Sequence, residues 1–439
     1  MARFPYRPLL GDRTLVPVVL GGDIGGYSIA RAFYEAFGVR SLLMSATLNG
    51  IVRDSAMIEN VVVPEMDDPD VMVREMLRLA EERPGADLIA VASVDWLVRS
   101  LIERKADLAH AYAIPYVDVE LLDTVTSKDS FSDLCREHGL AHPRSVVVDL
   151  AKGPEVDTGD LEFPVIAKAD DSAAYHAIEF EGKEKVFTVP SPEALTALLT
   201  RIHEAGYRDE FVVQDLIPGD DAGLRILNTY VGLDGKAAFT VYGHVLLQEH
   251  LPGTVGNSSV VLTIEEPEEV AKVERLLEAI GWRGFASLDM KVDPRTGETV
   301  YFELNPRLSR SNFFVTGAGI NPAVAYVREH VLGLPAIDDA YPPQQRQTLF
   351  TILPRPLVMR YLIDKDTRTL ARRLYRRRRV SHALWSRAER APRRIAYLAA
   401  HQLNHVRKYR RWYPRTAQAA ERASIAGMPH EGRAVRGAD

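Results

Sequence analysis

Beginning at Val16 the chain reads VPVVLGGDIGGYSIARAFYEAF, an apolar run closed by glycines and followed by apolar residues at helical spacing (Ile29, Ala30, Phe33, Phe37). That pattern predicts strand, tight loop and helix. Short apolar runs recur over 41–44 and 87–92 around a helical stretch over 70–82, so the first ~120 residues read as a parallel α/β layer with right-handed crossovers. A helix is expected over 127–138, with Ser127 placed to cap it and His138-Gly139 to end it. Strands follow over 143–148 and 163–168. An amphipathic helix over 193–206 opens at Ser191-Pro192, where proline presets the first turn. Alternation then resumes in FVVQDLI, LRILNTYVGL, KAAFTVYGHVLL and SSVVLTI, a series of strands with hairpin turns such as Asp234-Gly235. A helix over 268–280 precedes two further strands, over 285–292 and 299–304, joined by the turn from Asp293 to Gly297. No internal repeat interrupts this order, and small and charged residues over 416–439 predict a disordered tail.

The length, 439 residues, suggests two or three domains on a prior of roughly 100–200 residues each. With 46% hydrophobic and 26% charged residues the chain can build a packed interior, so a soluble globular protein is expected. One cysteine, Cys135, excludes an intramolecular disulfide framework and a cysteine-only zinc site, and fits a reducing compartment. Residues 1–14 have no apolar core of signal-peptide length, and no window approaches ~18 uncharged apolar residues, so the expected location is cytoplasmic. The formal net charge of −6 conceals a division: residues 355–415 carry 19 Lys/Arg against 3 Asp/Glu, a balance of +16 that leaves −22 for the remainder. An acidic body and a basic, tyrosine- and tryptophan-dotted appendage need separate explanations.

The chemistry concentrates in FASLDMK and YFELNPR, which place Asp289 on one strand and Glu303 and Asn305 on the next. Residues two apart share a face of a strand, so Glu303 and Asn305 point together and a hairpin partner brings Asp289 opposite them. Two carboxylates and an amide suit Mg²⁺, which takes its remaining ligands from water and phosphate oxygens. A solvated acidic hairpin is the plain alternative, but both acids sit inside apolar runs, where an unpaired carboxylate is costly to bury. Upstream, FPVIAK ends a strand at Lys168, and VTSKDSF puts Lys128 in the first turn of a helix. Two lysines with later acidic metal ligands are what a triphosphate requires. Between them FVVQDLIPGDD runs from strand into turn, its main chain suited to an adenine edge and Asp221 to a ribose hydroxyl. The glycine loop from Gly21 to Gly26 does not fit the dinucleotide fingerprint, and either substrate contact near Asp23 and Gly25 or simple turn geometry explains it.

Taken in order, Lys128, Lys168, Gln214-Asp215, Gly219-Asp220-Asp221, Asp289 and Glu303-Leu304-Asn305 resemble the ATP-grasp superfamily of carboxylate-amine ligases over about residues 15–335. Within it, PVVLGGDIGGYSIARAF, IPYVDVELLDTVTSKDSF, FEGKEKVF, QDLIPGDDAGLRILNTYV, GHVLLQEHLPGTVGN, GFASLDMKVD and FELNPRLSRSNFFVTGAG most resemble the D-aspartate ligases that amidate the peptidoglycan precursor. The resemblance implies an α/β and α+β ATP-grasp fold: an N-terminal parallel α/β domain over 1–120, a small central lobe over 121–210, and a C-terminal lobe over 211–340 that carries the metal site and clasps ATP. A basic, mainly helical extension over 355–415 would follow. The resemblance also implies that Lys128 and Lys168 contact phosphates, that Gln214, Asp215, Leu216 and Asp221 surround adenine and ribose, and that Asp289, Glu303 and Asn305 hold two Mg²⁺. Arg307 would stabilise the transferring phosphoryl group, and Arg310, Ser311 and Arg225 would bind donor carboxylates. Two features depart from the pattern: ADDSAAYHA after Lys168 lacks phosphate-covering glycines, and Ser287 stands where related ligases often carry arginine.

The implied reaction is amide formation through an acyl phosphate, with ATP, an amino-acid donor (D-aspartate) and an amine acceptor on a muropeptide precursor. Alternatives are another amide in a natural-product pathway, or a non-catalytic nucleotide-gated module at a membrane surface. No side-chain nucleophile is needed. Cys135 reads as buried filler, His244 and His250 as ordinary loop histidines, and Trp96 and Trp282 as packing aromatics. In the basic segment Leu374, Leu384, Trp385, Ile395, Leu398, Leu403 and Tyr409 recur amid arginines, predicting two or three amphipathic helices broken near Pro392 and Pro414. Their charge suits an anionic membrane surface, docking on the acidic body or, last, nucleic acid. Trp385, Trp412 and Tyr413 tilt the reading toward peripheral contact with the membrane.

Overall fold

Leu15–Leu20 (β1) is buried at five of its six positions, as a strand covered on both faces must be. The computed structural model, which describes residues 4–170, 172–251, 253–337 and 345–426, continues through α1 (Ile24–Phe37), β2 (Ser41–Ser45), β3 (Ile58–Val62) and α2 (Pro69–Glu81). Next come β4 (Asp87–Ala92), α3 (Asp95–Glu103), α4 (Lys105–Leu108) and β5 (Tyr112–Ala113). The five strands pair in parallel in the order β3-β2-β1-β4-β5, the α/β layer that the apolar runs predict. Asp23 caps α1 by accepting from the Gly26 amide at 2.8 Å, and Gly38, left-handed at φ 73°, ends it.

Helices α5 (Val119–Thr126) and α6 (Lys128–Glu137) lead into a second, antiparallel sheet. Its elements are β6 (Ser145–Asp149), β7 (Val165–Ala169), α7 (Ser172–Ala177), β8 (Phe187–Val189), α8 (Pro192–Glu204) and β9 (Glu210–Asp215), with strand order β6-β9-β7-β8. Val165, Ala167, Phe211 and Val213 pack with Leu195 and Leu199 of α8 in a core of their own. Strand alternation therefore sends Ile166, Lys168, Val212 and Gln214 to the opposite face. The stretch after Lys168 forms α7 and sends Tyr175 into that core; Asp171 and the side chains of Ser172, Ala173 and His176 lie outside the described residues. Cys135 is buried in α6, and burial pushes its thiol up to about 12, as inert filler requires.

The third sheet is built from β10 (Leu224–Val231), β11 (Ala237–Gln248) and β12 (Ser258–Thr263), then, after α9 (Pro267–Ala279), β13 (Gly284–Val292) and β14 (Thr299–Asn305). Helices α10 (Phe313–Gly317) and α11 (Pro322–His330) precede β15 (Leu349–Thr351), α12 (Arg355–Tyr361), α13 (Lys365–Arg376), β16 (Val380–His382), α14 (Pro392–Trp412) and α15 (Arg415–Ala426). The seven strands run β14-β13-β10-β11-β12-β15-β16. Two expectations need correction. The lobe drawn over 211–340 extends past 340, because β15 and β16 complete its sheet. Residues 416–426 of the expected tail are helical, and 427–439 lie outside the described residues.

The basic segment is bound to the body by buried polar contacts. Arg31 of α1 donates from Nη1 to the carbonyls of His382 (2.8 Å), Ala383 (2.8 Å) and Trp385 (3.0 Å). Glu389 accepts from Tyr27 Oη at 2.8 Å and Ser55 Oγ at 2.6 Å, with the Arg394 Nε 3.8 Å away. Arg394 is 1% exposed, and its Nη1 donates to the Gly50 carbonyl at 2.8 Å. Docking on the body is thus the reading the packing of this segment supports. Trp282 is fully buried as expected, whereas Trp96 is half-exposed on α3. Among the described residues no helix is long and apolar enough to cross a membrane. Replacing Glu389 by Ala should destabilise the chain by ~3–5 kcal/mol, because it leaves the Arg394 guanidinium buried without an anion. Removing both charges together (Glu389→Leu with Arg394→Met) should be milder, and denaturant unfolding of the three variants checks the order.

Candidate active site

β13 and β14 pair so that Asp289 lies opposite Glu303 and Ser287 opposite Asn305, with a register shift immediately after Asp289. The pleat puts the two carboxylates and the amide on one face. Asn305 Nδ2 lies 3.3 Å from Glu303 Oε1 and 3.5 Å from Asp289 Oδ2. Burial and the adjoining Glu303 push the Asp289 carboxyl well above the usual carboxylate range, with Arg307 and Lys185 pulling the other way. Crowded carboxylates of this kind repel one another, and their hard oxygens fit a divalent cation such as Mg²⁺. Among the described residues no group of three His, Cys, Asp or Glu gathers that could hold a metal.

The loop after β14 carries two arginines, each held by the N-terminal α/β unit. Arg307 grips Asp95 at both ends, Nε to Oδ1 at 2.5 Å and Nη2 to Oδ2 at 2.8 Å. Burial opposes the Arg307 charge, but Asp95, Asp289 and Glu303 more than offset it and hold its pKa above the ordinary value. Arg310 reaches Glu249 at 3.3 Å and Asp23 at 3.7 Å. The glycine loop proves to have two reasons for its composition. A Cβ at Gly26 would lie 2.1 Å from the Gly21 carbonyl oxygen, and one at Gly25 would lie 3.4 Å from the Arg310 Cα. Ser311 is buried, its hydroxyl 3.2 Å from that of Ser309. Arg225 does not join this group. It pairs with Met290, one residue out of phase with Asp289, so the pleat turns it to the opposite face, where Nη1 donates to the Ala222 and Leu224 carbonyls at 2.9 Å.

Lys168 and Gln214 share the face of the second sheet that its own core leaves free. Lys128 opens α6, and its side chain lies outside the described residues. Asp215 is engaged elsewhere, accepting from Arg144 Nε at 2.6 Å. Beyond β9, Leu216 and Ile217 carry the chain toward the third sheet, and Lys291 Nζ ties this connection by donating to the Ile217 (2.9 Å) and Gly219 (2.7 Å) carbonyls. Asp221 is buried and accepts three hydrogen bonds, from Gln248 N (3.0 Å), Gln248 Nε2 (2.9 Å) and His250 Nε2 (2.9 Å). A carboxylate has about four acceptor directions, so these three donors nearly saturate it. His250 is therefore more than a loop histidine. Its ring lies face to face with Tyr413, centroids 3.4 Å apart, and Tyr409 Oη donates to the Gln248 carbonyl at 2.6 Å. His244 fits the plainer reading, its Nε2 donating to the Ala222 carbonyl at 2.7 Å and its pKa lowered to about 4 by burial and by Arg225.

Asp95, Lys291 and Tyr413 escape the motif reading. Asp95 stands just past the C-terminal end of β4, where parallel sheets place their ligands, and Lys291 is two residues from Asp289 on the same face, so both had a signal. Tyr413 had none, since its partner lies far away in sequence.

No protein-family model matches the chain. It is 31% identical over 410 residues to a D-aspartate ligase of Enterococcus faecium (strain Aus0004), across 92% of this chain and 97% of that protein. Among solved structures it resembles an ADP complex of an N5-carboxyaminoimidazole ribonucleotide synthetase (14% identity, TM-score 0.56, 77% of this chain and 81% of that one). An L-amino acid ligase from Bacillus licheniformis is similar (13% identity, TM-score 0.53, 77% and 78%). At these identities the likeness is one of fold, the ATP-grasp fold.

The Asp221 cradle yields a quantitative expectation. His250→Ala removes one donor from a buried carboxylate and should cost ~1–3 kcal/mol of stability. Tyr413→Ala acts through the same ring, so the double variant should fall short of the sum by ~0.5–3 kcal/mol, as a denaturation double-mutant cycle would read.

Proposed function

The chain belongs to the D-aspartate ligase family, and we propose that it uses ATP and Mg²⁺ to join D-aspartate, through its side-chain carboxylate, to the lysine-type amine of a muropeptide precursor. It is a ligase forming carbon–nitrogen bonds; donor and acceptor are what the proposal adds. The observation that carries it is the convergence of Asp289, Glu303 and Asn305 on one hairpin face, with Arg307 and Arg310 on the loop that follows. The name of the E. faecium relative supports an acidic donor.

A carboxylate acylates poorly because oxide would have to leave. Transfer of the terminal phosphoryl group of ATP to the donor carboxylate gives an acyl phosphate and ADP. Attack by the acceptor amine then forms the amide and expels phosphate. Asp289, Glu303 and Asn305 would hold Mg²⁺, which would supply positive charge to offset that of the phosphates. Lys168 and Lys128 would contact the same oxygens, and Gln214, Leu216 and Asp221 would lie around adenine and ribose. Arg307, fixed by Asp95 and charged despite its burial, would stabilise the transferring phosphoryl group without having to reorganise. Arg310 would exchange Glu249 or Asp23 for the second carboxylate of the donor. Closure of the central lobe over this loop would keep water from the acyl phosphate.

A phosphate-release assay over D- and L-amino acids, with and without a muropeptide acceptor, tests the reading. Release should be greatest with D-aspartate and acceptor together; a preference for L- or neutral donors would move the chain to another amide chemistry. Glu303→Gln should abolish turnover without lowering the melting temperature, since it removes one charge of a repelling pair without changing volume. Retained release at saturating Mg²⁺ would overturn the metal assignment.

A further inference from the structure

Helix α14 is built inside out. Its inward stripe, at helical spacing, is Arg394, Leu398, His401, His405 and Tyr409, of which Arg394, Leu398, His405 and Tyr409 are buried. Neither ring nitrogen of His405 has a hydrogen-bond partner among the described residues, and burial lowers its pKa to about 3. The outward stripe is Ile395, Ala399, Leu403, Arg407 and Arg410, with Ala396, Ala400, Arg393 and Arg411 beside it. Leu403 is 67% exposed and Ile395 42%, and four of the ten large apolar side chains exposed among the described residues (Trp385, Ile395, Leu403, Trp412) fall within residues 385–412. A helix facing water normally shows the reverse arrangement.

Charge says what covers this face. Residues 385–415 hold nine Lys/Arg against one acid, Glu389, and that acid is buried beside Arg394. The 21 residues of α14 contain no Asp or Glu. Two copies of the chain would therefore repel one another here. A nucleic acid would use the arginines but not the apolar centre, which runs for about 12 Å between Ile395 and Leu403 at 1.5 Å per residue. An anionic lipid surface uses both: headgroups meet the arginines at each end, and Ile395 and Leu403 enter the boundary beneath them. We propose that the outer face of α14 is a peripheral docking surface for an anionic membrane, on which the chain lies without crossing. The buried polar stripe is what keeps α14 oriented this way, since Arg394 and Tyr409 are tied to the body through the Gly50 and Gln248 carbonyls.

This inference stands apart from the ligase reading, and its test uses the full chain. The wild type should pellet with vesicles of phosphatidylcholine mixed with phosphatidylglycerol, and not with phosphatidylcholine alone. Binding should weaken at least about tenfold as the Debye length falls from ~10 Å at 0.1 M salt to ~3 Å at 1 M. Leu403→Ser, which adds no charge, and Arg407→Gln with Arg410→Gln should each lower binding about tenfold, with phosphate release and melting temperature unchanged because these side chains are exposed. Equal pelleting of wild type and variants would overturn the proposal. So would binding to a single-stranded RNA homopolymer that equals vesicle binding and ignores Leu403→Ser, or a sedimenting dimer that Leu403→Ser dissolves.

Discussion

The register of β13 between β10 and β14 decides which side chains meet at the site. With Asp289 opposite Glu303, the two carboxylates and Asn305 come to one face, Lys291 follows on the same face toward the connection between lobes, and Arg225 is turned away. A slip of one residue would reverse every one of these assignments. The register shift just past Asp289 confines the irregularity to the point where the strand pair passes from the site to its turn. The two carboxylates repel, so this arrangement depends on what surrounds it: Arg307, anchored by Asp95 at the start of α3, supplies the largest opposing charge.

Much of this was legible because it is local. Asp289, Glu303 and Asn305 sit on adjacent strands of one hairpin, and alternation alone brings them together. Lys168 and Gln214 were legible for the same reason, their strands being direct neighbours. Motif position fails where parity decides: Asp215 stands next to Gln214 but faces Arg144, and Arg225 lies on a neighbouring strand but on the wrong side of it. It also fails where the partner is remote. Nothing near His250 announces Tyr413, and nothing near Tyr27 announces Glu389, 362 residues away.

The basic segment shows how charge counting misleads when burial is unknown. Nineteen cations against three acids suit a membrane surface and docking on the acidic body alike, and burial is what separates the two: Arg394 is among the largest fully buried side chains of the protein. The segment adds β16 to the sheet, receives three hydrogen bonds from Arg31, and buttresses the residues that hold Asp221. The acidic body and the basic extension are one folding unit joined by specific bonds. The surplus arginines that find no partner inside are the ones left on the surface.

The stacking of Tyr413 on His250 ties the Asp221 cradle to a part of the chain made well after β14. During synthesis at ~5–20 residues per second, β14 leaves the ribosome on the order of ten seconds before Tyr409 and Tyr413 do. In that interval a nascent chain holds its carboxylate hairpin without the clamp on Gln248 and His250. A message broken before α14, or a ribosome stalled there, yields a polypeptide that carries the Asp289 and Glu303 hairpin but not the finished cradle, so the cradle is complete only once Tyr409 and Tyr413 have been made.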